Sequence, residues 1–262
     1  MRTIIITGGT SGIGLDIAKF FYKKNYNISI AGLINKNEMK KIKLLFNSNR
    51  SIVMNANLLN KKNLYKFVKN TTKKFKKIDV LVNCAGRQHV APITKFTDDI
   101  WEYIIELNLT TPFRMIKEVL PIMRRNKWGR IINISSVHGK VASKNKSGYV
   151  SSKHGLVGLT KVVALETAEE NITCNAIGPG FVLTELVIKQ IKKIANDRKI
   201  SFNKAKKDLI KEKHPSMEFI KKNDLTKSTM KLIFDQNEFK NLLSNLKIEK
   251  TVSGGSVANS IV

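Results

Sequence analysis

Cysteine is nearly absent from this 262-residue chain, which carries only Cys84 and Cys174. The two lie far apart and form no metal-ligand spacing, so no metal site is expected. With no sign of secretion, they fit a reduced, cytoplasmic setting. No apolar run approaches the roughly 18 residues that a membrane span needs, so no membrane association is expected. The opening residues Met1-Arg2-Thr3-Ile4-Ile5-Ile6-Thr7 read directly as a strand, so no signal or transit peptide is expected. Acidic residues are also few: 20 Asp and Glu stand against 47 Lys and Arg, a formal net charge of +27. Such a field suits binding of nucleic acid or an acidic membrane. The lysines, however, are scattered along the chain, in pairs such as Lys23-Lys24, Lys40-Lys41, Lys61-Lys62 and Lys192-Lys193. A binding surface needs localised charge, so compositional drift explains them better and no nucleic acid is expected as partner.

What is present is an alternation of short apolar runs with longer amphipathic stretches, the pattern of a parallel sheet with crossover helices. Strands are expected at Thr3–Thr7, Asn27–Leu33, Ser51–Asn55, Asp79–Asn83, Arg130–Ser135, Ile172–Ile177 and, weakly, Lys250–Val252. Ile4-Ile5-Ile6 and Val80-Leu81-Val82 are apolar at successive positions, as strands covered on both faces are. The first helix is expected to turn Ile13, Ile17, Phe20 and Phe21 inward. Length alone permits one large domain or two small ones, but no repeat, low-complexity tract or linker interrupts the chain. A single domain over 1–262 follows. Its fold class is α/β, a Rossmann-like doubly wound parallel sheet with helices on both faces. Residues 185–217 read as a lysine-rich helical insertion, either a lid over substrate or a pair of helices that merely packs.

The first strand runs into Thr7-Gly8-Gly9-Thr10-Ser11-Gly12-Ile13-Gly14, and a helix follows at once. Glycines at 8, 12 and 14 permit a tight turn and close approach of backbone to a pyrophosphate. The helix N-terminus then offers free N–H groups and a positive dipole end. In this strand–turn–helix context the loop reads as a dinucleotide site. Nothing acidic occurs between Asp16 and Glu38, and Lys36 follows the second strand, so NAD is expected but NADP is not excluded.

Tyr149 and Lys153 stand four residues apart in a helical stretch, on one face, where phenol and ammonium can reach the same ligand. A phenol titrates near pKa ~10, and bringing it about 3 units lower takes about 4 kcal/mol of interaction with nearby positive charge. Ser136, at the end of a predicted strand, can orient a carbonyl or hydroxyl oxygen. Asn108 interrupts an apolar helical pattern and suits a bridge in a proton relay.

At these residues the chain resembles the short-chain dehydrogenase/reductase family over nearly its whole length. The matching pieces are Thr7–Gly14, Asn83-Cys84-Ala85-Gly86, Asn108, Ser136, Tyr149 with Lys153, and Pro179-Gly180 with Thr184. The resemblance implies a seven-stranded sheet, a catalytic tetrad of Asn108, Ser136, Tyr149 and Lys153, and the homotetramer common in the family. It also implies dinucleotide contacts from Gly8, Thr10, Ser11, Gly12, Ile13, Gly14, Asn57, Leu58, Asn83, Ala85 and Gly86. Pro179, Gly180, Val182 and Thr184 would lie against the nicotinamide.

A narrower likeness, to bacterial-type D-3-hydroxybutyrate dehydrogenases, runs through Arg87–Ile93, Trp128–Gly139, Val141–Ser147, His154–Thr167, Val187–Ile191 and Lys213–Ser216. It implies that Gln88, His138, Lys146 and Gln190 surround a substrate carboxylate, with Ser136, Tyr149 and Phe181 also at the substrate. The chain departs from that branch at Phe181, where Trp is usual, and at Asn57, where Asp is usual. It departs again at Ser253-Gly254-Gly255-Ser256, where Asp-Gly-Gly-Trp is usual. The implied reaction is NAD-dependent interconversion of D-3-hydroxybutyrate and acetoacetate. Its rivals are reduction of another short oxo acid or an acetoacetyl thioester and, in a different class, non-catalytic nucleic-acid binding.

Overall fold

A computed structural model describes residues 1–180, 182, 185–211 and 222–233. By residue contacts the chain divides into two compact units, Met1–Gly178 and the part from Pro179 onward.

The first unit is built on six parallel strands: β1 (Thr3–Thr7), β2 (Asn27–Gly32), β3 (Ser51–Asn55), β4 (Val80–Asn83), β5 (Gly129–Ile134) and β6 (Ile172–Ile177). Their order is β3-β2-β1-β4-β5-β6. The expected bounds hold to within a residue or so. The weak seventh strand, Lys250–Val252, lies outside the described residues. The helices of this unit are α1 (Gly12–Lys23), α2 (Lys36–Lys43), α3 (Lys61–Phe75), α4 (Asp98–Ile105), α5 (Thr111–Arg125) and α6 (Ser147–Glu166). Right-handed crossovers put α1 and α2 on one face of the sheet and α3, α5 and α6 on the other.

Continuous apolar strands follow from this double cover. Ile4, Ile5, Ile6, Val80, Leu81 and Val82 are wholly buried, and each such side chain contributes about 1.5–3 kcal/mol through burial. On the α3 face, Ile5, Leu81 and Ile131 pack against Leu64, Phe67 and Val68 of α3, Met115 and Val119 of α5, and Val163 of α6. The inward face of α1 differs from the expected one. Gly14, Ile17, Ala18 and Phe21 are buried, whereas Ile13 and Phe20 are only half-buried. Small residues let the helix approach the sheet closely, so the contact stripe is centred on Gly14 and Ala18 as much as on the large side chains.

Register places the site. β1 pairs with β2 from Thr3↔Asn27 to Thr7↔Ala31 and with β4 from Ile4↔Val80 to Thr7↔Asn83. The chain winds outward one way through β2 and β3 and the other way from β4, so the crevice beyond β1 and β4 is the switch point where ligands of such sheets bind.

In the second unit, α7 (Glu185–Asp197) packs on α8 (Phe202–Lys211) through Ile191, Ala195, Ala205 and Leu209. The last described helix, α9 (Lys222–Ile233), buries Leu225, Thr226, Thr229 and Ile233. Among the described residues, no helix is long and apolar enough to cross a membrane.

Candidate active site

The loop after β1 is shaped by close backbone approach. Gly8 has φ +67°, and a Cβ there would stand 2.8 Å from the backbone of Ala85, so the loop and the turn after β4 can touch only through glycine. Thr7 joins the same two segments by accepting the N–H groups of Cys84 and Ala85 at 3.1 and 3.2 Å. Gly12, at φ +53°, has nothing within 4 Å of a would-be Cβ, which leaves open space at the start of α1. Ser11 caps α1 without a side-chain hydrogen bond, so the first N–H groups of the helix remain available to an anion. Nearby, Asn83 donates Nδ2 to Asn133 Oδ1 at 2.8 Å. The Oδ1 atom of Asn83 is buried and accepts no hydrogen bond among the described residues. Open backbone donors, a glycine cradle and a buried acceptor at the switch point fit a dinucleotide.

Two further cofactor candidates are engaged locally. Leu58 is buried, and Asn57 Oδ1 accepts the Leu59 N–H at 3.1 Å in a turn. Beyond β2, Leu33 is exposed. There Asn35 and Glu38 form a reciprocal cap of α2, each side chain accepting the other's backbone N–H at 2.9 Å.

The reacting groups lie on α6 and on the turn after β5. Strand β5 ends at Ile134, and Ser136 opens a short turn by accepting the His138 N–H at 3.2 Å. The Ser136 hydroxyl is near enough to Tyr149 to lower its pKa. Lys153 is 4% exposed; its Nζ donates to the Ile134 carbonyl at 2.7 Å and stands 5.7 Å from the centre of the Tyr149 ring. Burial pushes the Tyr149 hydroxyl above its ordinary pKa, and the Ser136 hydroxyl opposes this. Burial acts on the Lys153 ammonium in the other direction and pulls it down to about 8, against the raising effect of Cys84. Cys84 completes this corner. The residue is half-buried, but desolvation pushes its thiol up to about 11 against the pull of Lys153 and the Gly14 N–H.

Asn108 does not interrupt an ordinary helix. It sits, wholly buried, in a π-helical turn (Glu106–Thr110) between α4 and α5. Such turns often mark functional sites. Its Oδ1 accepts the Arg87 N–H at 2.9 Å, and its Nδ2 donates to the Arg87 carbonyl at 2.9 Å and to Ser152 Oγ at 3.1 Å. A Cβ on Gly86 would lie 3.3 Å from Asn108 Oδ1 and 3.7 Å from Lys153 Nζ, so the loop after β4 borders the catalytic lysine.

Of the residues expected at a substrate carboxylate, His138 and Lys146 come together. Lys146 is 6% exposed and its Nζ lies 3.2 Å from His138 Nε2, while the His138 ring meets the Tyr149 ring edge-on at 6.1 Å. Gln88 lines a cavity of about 260 Å³ with Arg87, His89, Asp99, Ile100, Tyr103 and Ile104. In the second unit Pro179 and Val182 are buried and Gly180 is half-buried. Phe181 and Thr184 lie outside the described residues; Gln190 is on α7, with its side chain outside the description. Among the described residues, no cluster of side chains could hold a metal ion. Sequence reasoning missed Ser152 and the clamp on Arg87. The available signal for Ser152 was a hydroxyl three residues beyond Tyr149 on a buried helical face.

A glycine cradle at a doubly wound switch point, with Ser136, Tyr149 and Lys153 beside it, defines a nicotinamide-dinucleotide oxidoreductase. The chain belongs to the short-chain dehydrogenase family, which it matches over residues 2–195. It is 42% identical to a D-beta-hydroxybutyrate dehydrogenase of Cupriavidus necator over 86% of this chain and 87% of that one. A D-beta-hydroxybutyrate dehydrogenase of Rhizobium meliloti is 40% identical over 84% and 86%. Among solved structures, a point variant of actinorhodin polyketide ketoreductase with NADPH superposes with a TM-score of 0.82. It is 28% identical over 91% of this chain and 92% of that one.

Proposed function

We propose that this enzyme interconverts D-3-hydroxybutyrate and acetoacetate, with NAD as the hydride acceptor and Tyr149 as the general base. One observation carries the choice of substrate: Lys146 is a buried cation 3.2 Å from His138, and His138 stands edge-on to Tyr149. A desolvated ammonium gives a carboxylate a strong charge-assisted hydrogen bond. A short hydroxy acid has little apolar surface by which to be held, so a cation beside the reacting phenol suits it. The two relatives named as D-beta-hydroxybutyrate dehydrogenases support the same substrate.

In the oxidative direction Tyr149 Oη takes the hydroxyl proton while Ser136 Oγ holds the same oxygen. Lys153, anchored on the Ile134 carbonyl, keeps an ammonium beside the phenol at neutral pH, since its pKa is about 8. NAD, when bound, supplies the acceptor for the hydride leaving C3 and a positive ring charge that favours phenolate. Gly8, Thr10, Ser11, Gly12, Ile13 and Gly14 would cradle its pyrophosphate and Asn83 would meet its ribose. His138, Lys146 and Gln88 orient the carboxylate. Gln190, Phe181 and Thr184 enter the proposal from the family resemblance alone, and the role of residues 185–217 as a lid from the place of that insertion in the sequence.

We also assign a cytoplasmic location and a homotetramer. Subunit contact through α5 and α6 is supported by Phe113, Val162 and Leu165, which are 48%, 51% and 78% exposed on those helices. Sedimentation of the purified protein checks the assembly.

Initial rates with D- and L-3-hydroxybutyrate, each with NAD and NADP, test the reaction. The D-acid with NAD should be turned over fastest. Tyr149→Phe should abolish turnover with little change in dinucleotide affinity, and Lys146→Ala should raise KM for the acid about 10- to 100-fold, as loss of a charge-assisted bond does. An unchanged KM would remove the carboxylate assignment.

A further inference from the structure

We infer that Ser152 is a positioning residue, tying the loop that carries Gln88 to the helix that carries Tyr149. The kinetic consequences rest on the proposed reaction; the geometry does not. Ser152 is wholly buried between the two catalytic residues of α6. Its single hydrogen goes to the Tyr149 carbonyl at 2.8 Å, and its oxygen accepts Asn108 Nδ2 at 3.1 Å. Beyond Asn108 the connection continues to both backbone groups of Arg87, each at 2.9 Å. Loop and helix are therefore joined in one unbroken path, Arg87–Asn108–Ser152–Tyr149, in which each hydrogen has a single acceptor.

Two features make this more than a core hydrogen bond. A primary amide has two hydrogens, and those on Asn108 go to the Arg87 carbonyl and to Ser152 Oγ, so its side chain braces the loop against α6. One carboxamide that grips the N–H and C=O of Arg87 together also fixes the peptide planes on either side of it, and Gln88 is the next residue. The bond from Ser152 to the Tyr149 carbonyl is local and would form in any helix. Its bond with Asn108 spans 44 residues and sets the distance between the Gln88 loop and α6. Without the Ser152 oxygen, one buried Asn108 N–H is left with no acceptor, and the carboxamide is free to tilt.

Ser152→Ala removes the hydroxyl with little change of volume and no loss of helix propensity. KM for D-3-hydroxybutyrate should rise about tenfold, the effect of one buried hydrogen bond. The KM for NAD should stay within about twofold and the pH–rate profile should keep its midpoint, because Ser152 touches neither cofactor nor phenol oxygen. Asn108→Ala should show the same signature more strongly, and the double variant should be no worse than Asn108→Ala, since both act through one path. A serine that only supports the core would lower the melting temperature and leave the ratio of the two KM values alone. That result, or additive losses, overturns the inference. Amide hydrogen exchange gives a readout that needs no substrate: the Arg87 N–H should exchange about tenfold faster in Ser152→Ala than in the parent. Unchanged exchange overturns the brace. Faster exchange in an enzyme that leaves 3-hydroxybutyrate untouched sustains the brace and defeats the substrate assignment instead.

Discussion

Burial acts on Tyr149 and Lys153 in opposite directions, raising the phenol and lowering the ammonium, and in both cases it favours the neutral form. A base that must ionise is therefore held in surroundings that resist ionisation, and only specific partners correct this. Within the protein that partner is Ser136, whose hydroxyl pulls the Tyr149 pKa down. Oxidation needs Tyr149 deprotonated, so its rate rises with pH up to the midpoint of this group. Removing the hydroxyl in Ser136→Ala withdraws a donor from the phenolate, and the sign follows: the Tyr149 pKa rises. The ascending, acid-side limb of kcat/KM for oxidation should then shift to higher pH, and kcat should fall about 10²-fold through lost orientation as well. A fall in rate with the limb unmoved would show that Ser136 places the substrate oxygen without tuning the phenol.

At the scale of elements, strands were the most legible part, because apolar β-branched runs such as Ile4-Ile5-Ile6 have few other stable fates than a doubly covered sheet. The glycine loop and the Tyr149–Lys153 pair were legible for a similar reason: their chemistry depends on short, local spacing. What escaped was set by distant neighbours. The inward stripe of α1 runs through Gly14 and Ala18, which a search for large apolar residues passes over. The π turn at Asn108 exists where its carboxamide meets Arg87, 21 residues away, and no local pattern encodes that meeting. The end of β2 mixes both cases. The sequence shows no acid there before Glu38, and the structure adds that Glu38 is engaged in capping α2 while the uncharged Leu33 is exposed just beyond β2. A carboxylate at this place repels the 2′-phosphate of NADP. Leu33→Asp should therefore lower kcat/KM with NADP by about tenfold or more while changing the value with NAD by less than about threefold. Equal effects on both dinucleotides would place the discrimination elsewhere.

The property of the whole molecule that no single site explains is its charge of +27. Both proposed reactants are anions, so a field of this sign raises their local concentration and speeds encounter, whatever the origin of the lysines. Between about 0.01 M and about 0.5 M salt the screening length falls from about 30 Å to a few ångströms, which removes the far field but leaves buried pairs nearly untouched. The kcat/KM for hydroxybutyrate at low salt should thus drop about three- to tenfold over this range, while kcat, which starts from the bound complex, changes little. Lys146→Ala separates the distant field from the local contact. It removes one charge of many but the one that touches the carboxylate, so KM should be high at every salt concentration with the slope against salt nearly that of the parent. If Lys146→Ala instead flattened the salt dependence, the effect of salt would belong to that one buried cation, and the remaining lysines would contribute nothing to capture of the substrate.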